Sequence, residues 1–284
     1  MVQLRRFDNI KEFWHHAEDY LLQYQAEHNL LLGISHALLH DPERYPDPPY
    51  LAIAETNGKI LAVAIRTPPY KLVLSKAGDV NALGAIAQDL HSLPEQIPGV
   101  SGLVAEVSAF LQAWQSLTGQ SSRRVKEMRI HSLTQVKPVA TASGDLRPAT
   151  GGDRPLLLKW FAAFASEIGE VVSQDPQQAV DSGLKRQSIY LWEDGIPVSW
   201  ASGSQSLSAA ARIGPVYTPP QYRRKGYATA CVAALSQNLL DRGCHSCFLF
   251  TDLANPTSNH IYREIGYHPV CDWHDYSFIL QEQP

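Results

Sequence analysis

Residues 209–218 read as a strand and residues 227–242 as a helix. The turn between them, Pro219-Pro220-Gln221-Tyr222-Arg223-Arg224-Lys225-Gly226, is short and basic. The first turn of a helix leaves backbone N–H groups unpaired and carries the positive end of the macrodipole. A phosphate placed there collects several charge-assisted hydrogen bonds at once. Gly226 lets the backbone approach a ligand with no Cβ in the way, and Ala228 is nearly as small. Arg223, Arg224 and Lys225 add cationic charge. An arginine-rich turn alone is more often a solvated surface turn. Here strand, glycine, small residue and helix arrive in the order that a pyrophosphate cradle needs, which requires an α/β fold whose sheet ends against a helix.

The flanking sequence supplies that fold. A polar, breaker-rich stretch, Ala140-Thr141-Ala142-Ser143-Gly144-Asp145, opens a new unit. A short strand over 146–150 follows. Asp153 is placed to cap a helix with Pro155 in its first turn, whose apolar stripe is Leu157, Trp160, Phe161, Phe164 and Ile168. A more polar helix covers 175–185. Strands at 188–192 and 196–200 flank Asp194-Gly195, a hairpin turn that wants positive φ. After the strand and helix around the basic turn come Gly243, a strand over 246–251, a helix over 255–265 closed by Gly266, and a strand over 268–279. The order β-α-α-β-β-β-α-β-α-β implies a mixed, largely antiparallel twisted sheet with helices on both faces.

The first half is less legible. Helices over 10–24 and 30–40 precede a hairpin of 50–55 and 60–66 turned at Asn57-Gly58. A strand over 71–75, helices over 81–93 and 103–117, and a strand over 125–133 complete it. This order echoes the second half and predicts two related domains in tandem, 1–139 and 140–284. The Thr-Pro-Pro triplets at 67–69 and 218–220 fall at different places in the two orders and are read as chance. The first half lacks a cradle, because Lys76-Ala77-Gly78-Asp79-Val80 has one glycine but no basic triplet, and Asp79 would repel a phosphate.

Arg223-Arg224-Lys225-Gly226-Tyr227-Ala228 resembles the Arg/Gln-x-x-Gly-x-Gly/Ala signature of the GNAT superfamily of N-acetyltransferases. A second segment, Asn255-Pro256-Thr257-Ser258 through Tyr262 to Gly266-Tyr267, is similar to that family's Asn-x-x-Ser/Ala-x-x-x-Tyr-x-x-x-Gly-Phe/Tyr helix. The resemblance covers about half the chain. It implies a GNAT-like acyl-CoA fold and acetyl transfer from acetyl-CoA to a primary amine through a direct ternary complex. It further implies that Val216, Tyr217 and Thr218 hold the pantetheine arm and acyl carbonyl by their backbone, and that Arg223, Arg224, Lys225, Gly226, Tyr227, Ala228 and Thr229 hold the pyrophosphate. Asn255 and Ser258 would contact the cofactor, and Tyr262 would protonate the departing thiolate. Family members carry a bulge in the strand before the loop, and Gly214-Pro215 are residue types that suit one. A first half of this kind would be a degenerate GNAT-like unit that shapes the acceptor site or the domain interface.

The third strand, from Ala209 to Ile213, offers no carboxylate as general base, and Asp252 is a weak substitute. That gap favours a rival reading, an inactive acyl-CoA-binding sensor or scaffold; the complete 255–262 segment opposes it. A net charge of −4 argues against nucleic-acid binding by a generally basic surface. No apolar run long enough to span a membrane is present, and the basic N-terminus leads into no apolar segment, so a cytoplasmic location is expected. Cys244 and Cys247 have metal-ligand spacing but run into a strand, where residues three apart face opposite ways, so no metal is expected. Cys231 falls inside a helix, which disfavours a covalent acyl-cysteine route. His36 and His40, four apart on a helix without a neighbouring glutamate, read as surface or packing residues.

Overall fold

A computed structural model describes residues 1–279 apart from 46, 141, 169–174 and 206–208; Thr141 of the breaker stretch thus lies outside the described residues. The first half runs β1 (Gln3–Arg6), α1 (Ile10–Gln23), α2 (Asn29–His40), β2 (Tyr50–Thr56), β3 (Lys59–Arg66), β4 (Leu72–Leu74), α3 (Asn81–His91), β5 (Gly99–Leu103), α4 (Val104–Thr118) and β6 (Ser122–Leu133). The second runs β7 (Asp145–Pro148), α5 (Arg154–Ile168), α6 (Pro176–Lys185), β8 (Ile189–Asp194), β9 (Ile196–Gln205) and β10 (Ala210–Tyr217). It ends with α7 (Tyr227–Asp241), β11 (Ser246–Asp252), α8 (Pro256–Ile265) and β12 (His268–Phe278). The two halves therefore have the same element order, β-α-α-β-β-β-α-β-α-β.

All of these strands form one 12-stranded sheet in the order β1-β2-β3-β4-β5-β12-β6-β11-β10-β9-β8-β7. Exchanging each strand with its counterpart in the other half gives the same order read backwards, so a pseudo-twofold passes between β12 and β6. Each half lends its last strand to the other: β12 lies beside β5, and β6 beside β11. Only β4–β5 and β10–β11, equivalent pairs, run parallel. Strand alternation splits the core into layers. Ile189 and Leu191 pack with Leu157 and Trp160 of α5 on one face, while Tyr190 and Trp192 pack with α7 on the other. In the first half Leu51 and Ile53 pack with α1 and α2, and Ala54, Ala62 and Ala64 with α3 and α4.

Two strands were not visible in the sequence. β1 is only four residues, and β5 reads Gly-Val-Ser-Gly-Leu, which carries little strand propensity. The glycines of β5 mark close packing instead. A Cβ on Gly99 would stand 2.0 Å from the carbonyl oxygen of Tyr276 in β12. At this seam Trp273, wholly buried, donates from Nε1 to Ser101 Oγ at 2.6 Å, and Lys71 pairs with Asp275 at 2.9 Å. Gly99→Ala is therefore expected to destabilise the protein by about 1–3 kcal/mol through overpacking. Thermal unfolding followed by circular dichroism checks this; an unchanged Tm would mean that the seam yields freely.

The turn before α5 differs from expectation. Asp153 is the third residue of a 3₁₀ turn, Gly151–Asp153, which Thr150 caps; its carboxylate accepts from the Thr150 backbone N–H and from Arg147. Two adjacent glycines disfavour an α-helical conformation over 151–153, and the α-helix begins at Arg154, directly after Asp153 as expected.

Candidate active site

β10 is the strand that positions the site. It pairs with β9 through a bulge between Ile213 and Val216, where Gly214 and Pro215 stand; Gly214 has φ of +129°. On its other side β10 pairs with β11 only from Ala210↔Ser246 to Arg212↔Phe248. Beyond Arg212 the two strands part, and the backbone from Ile213 to Tyr217 has one edge with no ladder partner. A forked edge of this kind is a ready acceptor and donor row for an extended ligand arm.

The fork leads to the N-terminus of α7. Gly226 is the cap residue, in the left-handed region at φ +80°, and Arg224 before it has φ +62°. The first intrahelical bond is donated by Ala230 to the Gly226 carbonyl at 2.9 Å, so the N–H groups of Tyr227, Ala228 and Thr229 find no acceptor among the described residues. The turn is held by its surroundings. Tyr227 donates from its hydroxyl to Asp194 in the β8–β9 turn at 2.5 Å, Ser143 donates to the same carboxylate at 2.7 Å, and Trp192 Nε1 donates to the Ser143 carbonyl at 2.9 Å.

The basic residues do not act alike. Arg223 is turned away from the helix end: its guanidinium pairs with Glu167 at 2.6 Å and donates to the Thr218 carbonyl at 2.8 Å. Arg224 and Lys225 are exposed and form no ion pair among the described residues. Val216 and Thr218 are half-buried, Tyr217 is buried, and the Thr218 hydroxyl lies 2.8 Å from Ser199 Oγ.

α8 closes the other side. Asn255 caps it, accepting from the Ser258 N–H at 3.1 Å, and Asn259 ties its start to the end of β11 through Thr251 Oγ1 at 2.8 Å. Tyr262 projects into the core between α7 and α8, edge-on to Tyr267 with ring centroids 5.9 Å apart. Burial pushes its phenol up to about 12, with the neighbouring Cys231 adding to the shift. Its hydroxyl has no hydrogen-bond partner among the described residues, so it is a protonated donor with nothing to donate to.

Cys231 and Cys247 have no exposed surface, and burial pushes each thiol up to about 12. Thiols so buried and so weakly acidic are poor nucleophiles. Among the described residues no group of three or more His, Cys, Asp or Glu is placed to hold a metal ion.

The equivalent turn of the first half is answered from within. Asp79 Oδ1 accepts from the Asn81 N–H at 2.9 Å at the start of α3, and Glu106 accepts from the Ala77 N–H at 3.0 Å. The amides of Ala77 and Asn81 are thus taken by carboxylates, and those of Ala82 and Leu83 by the Asp79 and Val80 carbonyls.

A cleft of about 720 Å³ reaches the bulge residues Gly214 and Pro215. Its walls come from both halves: α2 and the turn after it on one side, and α5, α6, β9 and β10 on the other. This cleft and its arginines escaped the sequence reading. Arg212 was the available signal, a charge between Ala211 and Ile213 in a strand whose neighbours are buried.

Residues 156–267 match the profile of the Acetyltransferase (GNAT) family. The chain thus carries a GNAT domain in its C-terminal half, and that domain holds the fork, the cradle and Tyr262. Among curated proteins none matches the sequence. Solved structures share the fold across the whole chain. A GCN5-related N-acetyltransferase from Sphaerobacter thermophilus aligns with TM-score 0.62 at 16% identity, covering 98% of this chain and 95% of that one. A GNAT-family acetyltransferase from Colwellia psychrerythraea gives 0.58 at 13% identity, covering 98% and 100%. A tandem GNAT protein from the clavulanic acid biosynthesis pathway gives 0.57 at 11% identity, with both chains covered completely. The family implies acyl transfer from an acyl-CoA to an amine.

Proposed function

We propose that the chain is an N-acetyltransferase that moves an acetyl group from acetyl-CoA to a primary amine in one ternary complex. The observation that carries this is the fork between β10 and β11 ending at the three free amides of α7. Those amides, with Arg224 and Lys225, suit the pyrophosphate of acetyl-CoA, and Arg223 supports the turn through Glu167. The unpaired edge at Val216 and Tyr217, with Thr218 just beyond it, suits the pantetheine arm and the acyl carbonyl, while Asn255 and Ser258 stand at the start of α8.

The amine attacks the thioester carbonyl carbon; the C–N bond forms and the C–S bond breaks. Backbone N–H groups along the β10 edge stabilise the oxygen as it gains charge. Tyr262 supplies the proton that the thiolate takes and is reprotonated from solvent, to which the attacking amine releases its own. Direct transfer agrees with the buried, weakly acidic Cys231 and Cys247. We read 1–139 and 140–284 as two related units, the first shaping the acceptor side, and place the protein in the cytoplasm on its four unpaired cysteines.

β10, Ala210–Tyr217, carries no carboxylate or imidazole, and this favours a second reading, an acyl-CoA-binding module without turnover. Thiol release from acetyl-CoA in the presence of an amine panel separates the two. Amine-dependent release is expected. Binding of acetyl-CoA with no release above the rate without protein would establish the sensor instead.

A further inference from the structure

The cleft that meets the fork at Gly214 and Pro215 differs in charge from the rest of the molecule. The whole chain carries a formal charge of −4. Yet the lining contributes five cationic side chains, Arg44, Lys185, Arg186, Arg212 and Arg242, against the single carboxylate of Asp41. Asp41 is committed to Arg186, which it meets at 3.1 Å across the two halves. Arg212 has no hydrogen bond or ion pair among the described residues; the ring of Phe250 lies 5.1 Å from its guanidinium carbon, and Arg44 and Tyr45 are near enough to act on its charge. Arg44 lies over Tyr45, and its Nε is buried with no partner.

Unpaired polar atoms collect around this one space. Four buried side-chain atoms lack a hydrogen-bond partner among the described residues, and three of them, Asn29 Oδ1, Arg44 Nε and Trp200 Nε1, belong to lining residues. Buried polar groups are normally satisfied, so these orphans show incomplete polar pairing in the walls of the cleft, while its open charge comes from the arginines. Two of the three are donors. The arginines also burden one another. Burial, then the charge of Arg44, lowers Arg212 to about 10, and the same two causes lower Arg186. Folding brings these cations together with only Asp41, on Arg186, to offset them.

We infer that the acceptor is a small amine that also carries an oxyanion, a carboxylate or a phosphate, held by Arg44 and Arg212 from the two halves of the chain. Arg212 is the last residue of β10 paired with β11, two residues before the bulge. An oxyanion on its guanidinium keeps the rest of a small acceptor beside the open edge where transfer is proposed. A cleft of this volume is in the range of small-molecule sites. The inference rests on the acyl-transfer reading for the identity of its ligand as acceptor. It adds that the first half contributes binding groups to the site, through Arg44 and α2.

The test pairs amines that differ in the oxyanion: alanine against isopropylamine, and O-phosphoethanolamine against ethanolamine. Thiol release from acetyl-CoA gives kcat/KM for each, in the wild type and in Arg44→Gln, Arg212→Gln and Arg212→Lys. In parallel, Tm is read with acetyl-CoA alone and with N-acetylalanine or inorganic phosphate alone. An anionic amine is expected to win by about tenfold or more, since a charge-assisted hydrogen bond is at stake. The advantage should collapse through KM in Arg44→Gln and Arg212→Gln and return in part in Arg212→Lys, with the acetyl-CoA shift retained. The preferred member of the two pairs identifies the oxyanion. Equal kcat/KM within both pairs, or an advantage untouched by either glutamine variant, overturns the inference while acyl transfer stands. Without thiol release from any amine, the transfer reading falls and the anion arm decides. A Tm rise with N-acetylalanine or phosphate that Arg44→Gln abolishes keeps the oxyanion site, and no rise removes it. Should Arg212→Gln fail to fold, Arg44→Gln carries the comparison.

Discussion

Gly226→Glu is expected to abolish the rise in Tm that acetyl-CoA gives the wild-type protein. Ligand at about 100 times its Kd stabilises by about 2.7 kcal/mol, which for a chain of this size is roughly 5 °C. Two separate effects remove it. Gly226 sits at φ +80°, where a residue with a Cβ is strained by about 1–2 kcal/mol, so the turn resists keeping its shape. A Cβ there would lie 3.7 Å from that of Ala142, an ordinary contact, so the glutamate is not excluded by a clash. Its carboxylate then competes for the free amides of Tyr227, Ala228 and Thr229, as Asp79 does in the first half. Gly226→Ala separates these effects, since it brings the strain and the methyl but no charge. It should weaken binding and keep part of the shift. A full acetyl-CoA shift in Gly226→Glu would show that the ligand does not use the α7 N-terminus.

The site was legible where its chemistry is local in sequence. The helix-end amides follow from a strand, a glycine and a helix in succession, and the Asn255–Tyr262 segment is a single helix. The forked edge was expected from Gly214-Pro215 together with the family resemblance, because such a pair weakens a ladder at a known place. Pairing between distant segments was not legible. Arg223 looked like a phosphate ligand, but its partner Glu167 lies at the end of α5, far away in sequence. The cleft was invisible for the same reason, as Arg44 and Arg212 come from opposite halves and meet only once the sheet is assembled. The exchange of β6 and β12 is also non-local. Both halves show the same order of elements with or without it, and only the register of β12 on β5 and β6 reveals it. β5 was missed because the glycines that let β12 approach are the residues that make a strand hard to see.

Tyr262→Phe is expected to lower kcat by about 10²-fold, the lower end of what a positioned proton donor contributes, and to leave the Kd for acetyl-CoA unchanged. A phenol pushed up to about 12 looks too weak an acid for a thiolate whose ordinary value is near ~8.5. The same surroundings answer the objection. Cys231, beside Tyr262, and Cys247 in the same core are themselves held near 12 by burial. On the proposed reading the thiolate forms beside Tyr262, where the same desolvation raises its basicity toward that of the phenolate and brings the transfer nearer balance. The absence of any protein partner for the Tyr262 hydroxyl fits a group whose acceptor arrives with the substrate. Phenylalanine keeps the packing against Tyr267, so a loss of folding is not expected to obscure the result. Single-turnover thiol release measures the chemical step, and calorimetric titration measures the affinity. A fall in turnover with intact affinity assigns the proton to Tyr262. Turnover equal to the wild type removes Tyr262 from the chemistry and leaves it as a core residue that packs α8 against α7.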